Sequence, residues 1–293
     1  MNGIKAHRRA AIALSALALI SLVLTGCQSS RHSAPPSRAS QVELPFTGLN
    51  SPTDLAVDGV GDVYVTDEVN NRVLKLPAGS NTQVELPFTR LTDLGGLAVD
   101  TAGNVYITDG PVSSGPPGQP NAGRVLKLPA GSNTPVELPF TDLSNPGGVA
   151  VDSSGNVYVS DWGFVSKLAA GSNTATKVPF KGVKLAADTA GNLYLTDVVP
   201  SRVLKLPLGS NTPVELPFTG LGVAGGVTVD ATGNVYFSDF GNNRVLKLPA
   251  GSNTPVELPF TALNSPGGVA VDTAGNVYVA DDHNNRVLKL PVG

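Results

Sequence analysis

Cysteine is almost absent from this chain. Cys27 is the single one in 293 residues, which excludes an internal disulfide and a cysteine-built metal centre. Histidine is nearly as scarce: His7 and His32 fall early, only His283 lies beyond them, and a zinc site made from several histidines is thereby excluded. Charge is sparse at 15% and carries no basic excess. The formal net charge is −3, and the first 26 residues hold Lys5, Arg8 and Arg9 but no acid, so the remainder carries −6. That balance lacks the basic footprint of a nucleic-acid binder. No segment sustains the 3.6-residue period of an amphipathic helix, and no nucleophile motif or phosphate-cradling loop occurs.

One long apolar run is present, from about Ala10 to Leu24, behind the basic start Lys5, His7, Arg8 and Arg9. Its length and position suit a secretory signal. The run ends in Leu24-Thr25-Gly26-Cys27, which resembles a bacterial lipobox. That resemblance implies cleavage after residue 26 and diacylglycerol on the Cys27 thiol, and two acyl chains suffice for stable anchoring. Residues 27–40 are rich in Ser, Pro and Arg and read as a flexible tether. The expected location is the outer face of the cytoplasmic membrane, with the lipid as the only membrane contact.

Repetition fills residues 41–293. A Val-Asp or Ala-Asp step recurs at Asp58, Asp100, Asp152, Asp188, Asp230 and Asp272. All six tyrosines occupy one repeat position (Tyr64, Tyr106, Tyr158, Tyr194, Tyr236, Tyr278). Each unit offers four short β-branched or aromatic stretches separated by Gly, Asn, Ser and Pro turn chemistry. Four strands in about 42 residues is the size of a propeller blade. The expected fold is all-β: a six-bladed β-propeller of four-stranded antiparallel blades. Proline at 45, 87, 139, 179, 217 and 259 places the fourth strand at the outer edge, where a missing N–H is tolerated. The final unit stops after its third strand and residues 42–46 form an orphan fourth one, so strand 42–46 is expected to complete the last blade and close the ring.

The pattern Pro-Gly-Gly-Val-Ala-Val-Asp, Gly-Asn-Val-Tyr-Val-Ala-Asp, Asn-Asn-Arg-Val-Leu-Lys-Leu over residues 266–290 resembles the NHL repeat. The Leu-Pro-Phe-Thr-Gly-Leu link resembles the extracellular sensor propellers of mycobacterial receptor serine/threonine kinases. The resemblance implies a sensor or interaction domain outside the cytoplasmic membrane, here without a kinase domain. Propellers of this kind also include lyases and lactonases with a central metal, so the fold leaves function open.

Residues shared by all blades serve the blade, and departures mark the site. Asp67/Arg72, Asp109/Arg124, Asp197/Arg202, Asp239/Arg244 and Asp281/Arg286 are expected to be structural ion pairs pinning the loop between second and third strands. The Asp58-type carboxylates sit beside Gly-Asn turns and are expected to cap them. Three irregularities fall on consecutive blades and at one end of the propeller. Blade 2 has a long Pro/Gly insertion within Gly110–Gly123. Blade 3 has Trp162-Gly163-Phe164 and no arginine, and the link into blade 4 shortens to Lys181-Gly182-Val183-Lys184. Aromatics, cations and a long loop together suggest a binding footprint of Trp162, Phe164, Lys181, Lys184 and the 110–123 loop. Near the axis, the position held by Gly96, Gly148, Gly226 and Gly268 becomes Asp54 in blade 1 and Lys184 in blade 4. Those opposed charges either orient a zwitterionic or peptide-like ligand or stand as two solvated surface groups. The reading is a monomeric, non-enzymatic binding or sensor propeller for a protein, peptide or cell-envelope fragment, with no cofactor or metal. A metal-dependent lyase or lactonase and a structural envelope scaffold are the alternatives.

Overall fold

The computed structural model describes residues 40–111, 122–161, 164–178 and 180–292. The expected signal, Cys27, Trp162 and most of the 110–123 insertion lie outside the described residues. Within them the chain forms 24 strands in six four-stranded antiparallel sheets.

Strand β1 (Val42–Glu43) precedes the first full blade. Blade 1 is β2 (Pro52–Val57), β3 (Val63–Asp67), β4 (Arg72–Leu76) and β5 (Val84–Glu85). Blade 2 is β6 (Leu94–Val99), β7 (Val105–Asp109), β8 (Arg124–Leu128) and β9 (Val136–Glu137). Blade 3 is β10 (Pro146–Val151), β11 (Val157–Asp161), β12 (Phe164–Leu168) and β13 (Ala175–Val178). Blade 4 is β14 (Leu185–Ala187), β15 (Leu193–Val198), β16 (Ser201–Leu206) and β17 (Val214–Glu215). Blade 5 is β18 (Ala224–Val229), β19 (Val235–Asp239), β20 (Arg244–Leu248) and β21 (Val256–Glu257). Blade 6 is β22 (Pro266–Val271), β23 (Val277–Asp281) and β24 (Arg286–Leu290). Its fourth strand is β1, which pairs antiparallel with β24 in the register Val42 to Lys289 and Glu43 to Leu288. The chain therefore closes its own ring.

The outer strands are shorter than the five-residue stretches in the sequence suggest. Leu44 N–H still reaches Val287 carbonyl oxygen at 2.9 Å, but Pro45 has no donor and Phe46 N–H turns back to Leu44. The ladder ends there, and the same break recurs at Phe88, Phe140, Phe218 and Phe260.

The core lies between blades. Tyr64 and Val73 of blade 1 pack with Leu97, Ile107 and Leu126 of blade 2. Leu55 and Val65 of blade 1 pack with Tyr278 and Val287 of blade 6. Because blades stack face to face, a second strand such as β3 is buried on both sides, so it reads as a nearly continuous apolar run. Each buried Val or Leu side chain contributes about 1.5–3 kcal/mol. The innermost strands β2, β6, β10, β14, β18 and β22 meet in sequence around the axis.

The repeated aspartates cap their turns. Asp230 Oδ1 accepts N–H groups of Thr232 at 3.0 Å and Asn234 at 2.9 Å. Its Oδ2 accepts the Asn234 side-chain amide at 2.7 Å and the Tyr236 hydroxyl at 3.0 Å. Lys247 Nζ then lies 5.2 Å from the Tyr236 ring centroid. A tyrosine hydroxyl donates to the equivalent aspartate in each of the other blades.

Candidate functional site

All links between blades, and all connections from second to third strands, lie at one end of the propeller. The Asp67-type residues tie them together there. Asn50 N–H donates to Asp67 Oδ1 at 2.6 Å, while Arg72 Nε donates to Asp67 Oδ2 at 2.7 Å. Equivalent pairs join Arg124 to Asp109 (2.7 Å), Arg202 to Asp197 (3.0 Å), Arg244 to Asp239 (2.9 Å) and Arg286 to Asp281 (2.7 Å).

At the axis the glycine ring has a packing cause. A Cβ on Gly96 would lie 2.7 Å from Gly148 Cα, and one on Gly268 would lie 2.8 Å from Asp54 Cα. Side chains are therefore shut out where neighbouring inner strands approach most closely. Asp54 and Lys184 depart from that rule and meet each other. Lys184 Nζ is 3.1 Å from Asp54 Oδ2 and 3.3 Å from Gly95 carbonyl oxygen. Asp54 also accepts backbone N–H groups of Leu55 (2.9 Å) and Leu97 (3.3 Å). The two charges thus meet each other and do not stand as two separate solvated surface groups. A lysine side chain is long enough to cross from blade 4, and the largely desolvated charges gain more from direct contact than from facing each other at a distance. The pair spans the mouth of a central channel of about 160 Å³ lined by inner strands.

Above the strap, Glu68, Phe240, Asp282 and Lys184 border a depression of about 370 Å³. Burial pushes the Glu68 carboxyl above its ordinary range, and the negative charges of Asp93 and Asp282 push the same way, against Lys184.

A second pocket, of about 390 Å³, opens at the seam of blades 3 and 4. Ser160 and Asp161 of blade 3 face Lys181, Val183, Asp197 and Val199 across it. Its origin is the shortened link: β14 has three residues where the other inner strands have six. The volume falls in the range of small-ligand sites, roughly 300–1,000 Å³.

The structure places four of the five candidate binding residues. Lys181 lines the seam pocket, while Lys184 and Asp54 close the channel. Phe164 takes the seat of the arginine opposite Asp161, with Lys177 Nζ 4.0 Å from its ring centroid. Trp162, though adjacent in sequence to Asp161, lies outside the described residues. Sequence reasoning did not single out Asp197 as a pocket residue. The available signal was the link spacing, eight residues from Phe180 to Asp188 against twelve in the other blades.

Fold and repeat chemistry together define a six-bladed β-propeller carrying NHL repeats, which are matched at residues 49–76, 143–163 and 263–290. Among proteins of known function, the chain is similar to the serine/threonine-protein kinase PknD of Mycobacterium tuberculosis, 46% identical over 77 residues. That stretch is 24% of this chain and spans only 12% of the kinase. Among solved structures it resembles a gluconolactonase from Xanthomonas campestris at TM-score 0.69 and 14% identity, covering 87% of this chain and 90% of that one. Virginiamycin B lyase from Staphylococcus aureus superposes at TM-score 0.63 and 14% identity, covering 87% and 99%. A nidogen–laminin complex contains a chain similar at TM-score 0.63 and 21% identity, covering 75% and 85%. These likenesses are of fold.

Proposed function

We propose that this protein is an extracytoplasmic binding or sensor propeller, tethered by lipid on Cys27, that recognises a protein, peptide or cell-envelope ligand with its loop-bearing face. The observation that carries the reading is the seam pocket, where a shortened link exposes apolar side chains beside the Lys181 ammonium and the Asp197 carboxylate. The repeats themselves are scaffold, since their recurrent carboxylates are engaged in turns and in ion pairs. Similarity to PknD supports a role in sensing, and the signal-like N-terminus supports export. No helix among the described residues is long and apolar enough to cross a membrane. The test is recovery of ligand from envelope extracts on the immobilised full chain and on a Lys181→Glu variant. Loss of a specific ligand with the variant is expected, and equal recovery removes the seam from the site.

A second reading, a metal-dependent lyase or lactonase, is favoured by the enzymes among the fold neighbours. Among the described residues no group of three or more His, Cys, Asp or Glu side chains is arranged to hold a metal ion. Elemental analysis before and after chelator dialysis separates the readings. A stoichiometric, stabilising metal supports the enzyme, and folding that is indifferent to the chelator supports the binding module.

A further inference from the structure

Blades 1, 2, 5 and 6 use their Asp–Arg pairs to hold a piece of backbone in one fixed way. The arginine Nη2 donates to the carbonyl of one link residue: Gly48 (2.9 Å), Arg90 (2.6 Å), Gly220 (3.0 Å) and Ala262 (2.9 Å). The aspartate Oδ1 accepts the N–H of the residue two further on: Asn50 (2.6 Å), Thr92 (2.8 Å), Gly222 (2.8 Å) and Asn264 (2.7 Å). The residue giving the carbonyl has positive φ in all four, between 54° and 66°.

Blade 4 keeps the pair and lacks the backbone. Its link is four residues shorter, and among the described residues Asp197 accepts only from Arg202, through Oδ2. Among the described residues Arg202 reaches no link carbonyl, and its further ionic contact is Glu215 at 3.9 Å. Exposure follows. The Asp197 side chain is 21% accessible, against 0% for Asp67, Asp109, Asp239 and Asp281. That of Arg202 is 37% accessible, against 20–26% for its four counterparts. Asp197 also lines the seam pocket, which places it beside a volume that a ligand can enter.

We propose that Asp197 and Arg202 read the backbone of a peptide segment in a partner protein, taking one carbonyl and the N–H two residues on. This deepens the binding reading and rests on it. The bound turn has the shape of the missing link, so the carbonyl residue takes a left-handed conformation and glycine is preferred there. Val183, Val198 and Val199 give its side chains an apolar wall.

The probe is acetyl-Thr-Gly-Leu-Asn-Ser-Pro-amide, the sequence of the chain's own link at residues 47–52. Titration of the full chain in detergent, followed by NMR of arginine side chains and backbone amides, is expected to show saturable shifts at Arg202 and around the seam. N-methylation of the peptide's asparagine removes the N–H that Asp197 accepts, and Arg202→Ala removes the carbonyl's donor. Each is expected to weaken binding about tenfold. A variant with Gly-Leu-Asn-Ser inserted between Lys181 and Gly182 refills the clamp and is expected to abolish binding. Absence of shifts with the unmodified peptide, or equal affinity for the N-methylated one, overturns the proposal. An envelope ligand lost with Lys181→Glu but retained with Arg202→Ala leaves the binding module standing and removes the peptide assignment.

Discussion

The Tyr–Asp–Asn turn is the residue-scale unit of stability in blades 2 to 6, with the phenol supplying one donor and the asparagine another; in blade 1 the asparagine is replaced by Asp62, which pairs with Lys75. Tyr236→Phe deletes a hydrogen bond to Asp230 and leaves the carboxylate its other donors. A loss of about 1 kcal/mol is expected from urea unfolding. The same turns set the pH response. Burial works against ionisation of Asp100, Asp152, Asp230 and Asp272, yet donors from the following asparagines and tyrosines outweigh it and hold these carboxyls below their ordinary range. Burial pushes the six tyrosines above theirs, and the aspartate charge adds to it. Below about pH 4 the unfolded chain binds more protons than the folded one, and above about pH 10 it binds fewer. Stability is therefore expected to be fully present between those limits, to fall as pH drops through the depressed carboxyl values, and to fall again as pH rises towards the raised tyrosine values. Melting curves across pH 3–11 check this, and a Tm still rising above pH 10 contradicts it.

Elements differ in how much their ion pairs matter. Asp239 is fully buried and held by Arg244, Asn242 and the Gly222 N–H, so Arg244→Ala strands a charge and is expected to cost about 3 kcal/mol. Asp197 is open to solvent, and Arg202→Ala is expected to cost less than about 1 kcal/mol. Parallel unfolding of the two variants measures the difference, and similar losses would show that blade 4 is built like its neighbours. The closing strand is a second element with a distinct consequence. Removing residues 41–46 takes away the β1–β24 ladder, the Leu44 bond to Val287 and the Gln41 contacts with Thr261. The exposed β24 edge is expected to lower Tm and to produce oligomers, detectable by size-exclusion chromatography with light scattering.

Across the whole molecule, the Lys184–Asp54 strap joins blades on opposite sides of the ring. With side-chain accessibilities of 18% and 14%, the pair sits between surface and buried limits. Lys184→Ala is expected to cost about 2 kcal/mol while Asp54 keeps its two backbone donors. A variant as stable as the parent would mean that the pair is no tie. The strap uses one charge pair inside the ring, while Lys181 and Asp197 line the seam pocket at blades 3 and 4.

Blade number, the order of strands, the outer position of the prolines, the turn role of the aspartates and the closing strand were legible in the chain alone. Each follows from a local pattern that recurs six times, and repetition makes a local signal unambiguous. The tertiary structure decided what the exceptions do. Lys184 and Asp54 are 130 residues apart in sequence, and only closure of the ring shows that a lysine side chain spans the gap. Asp197 and Arg202 have the five-residue spacing of the pairs in blades 1, 5 and 6, so their sequence reads as scaffold. Their availability depends on backbone that four missing residues fail to supply, and a missing hydrogen-bond partner is visible only when the other blades stand beside it in space.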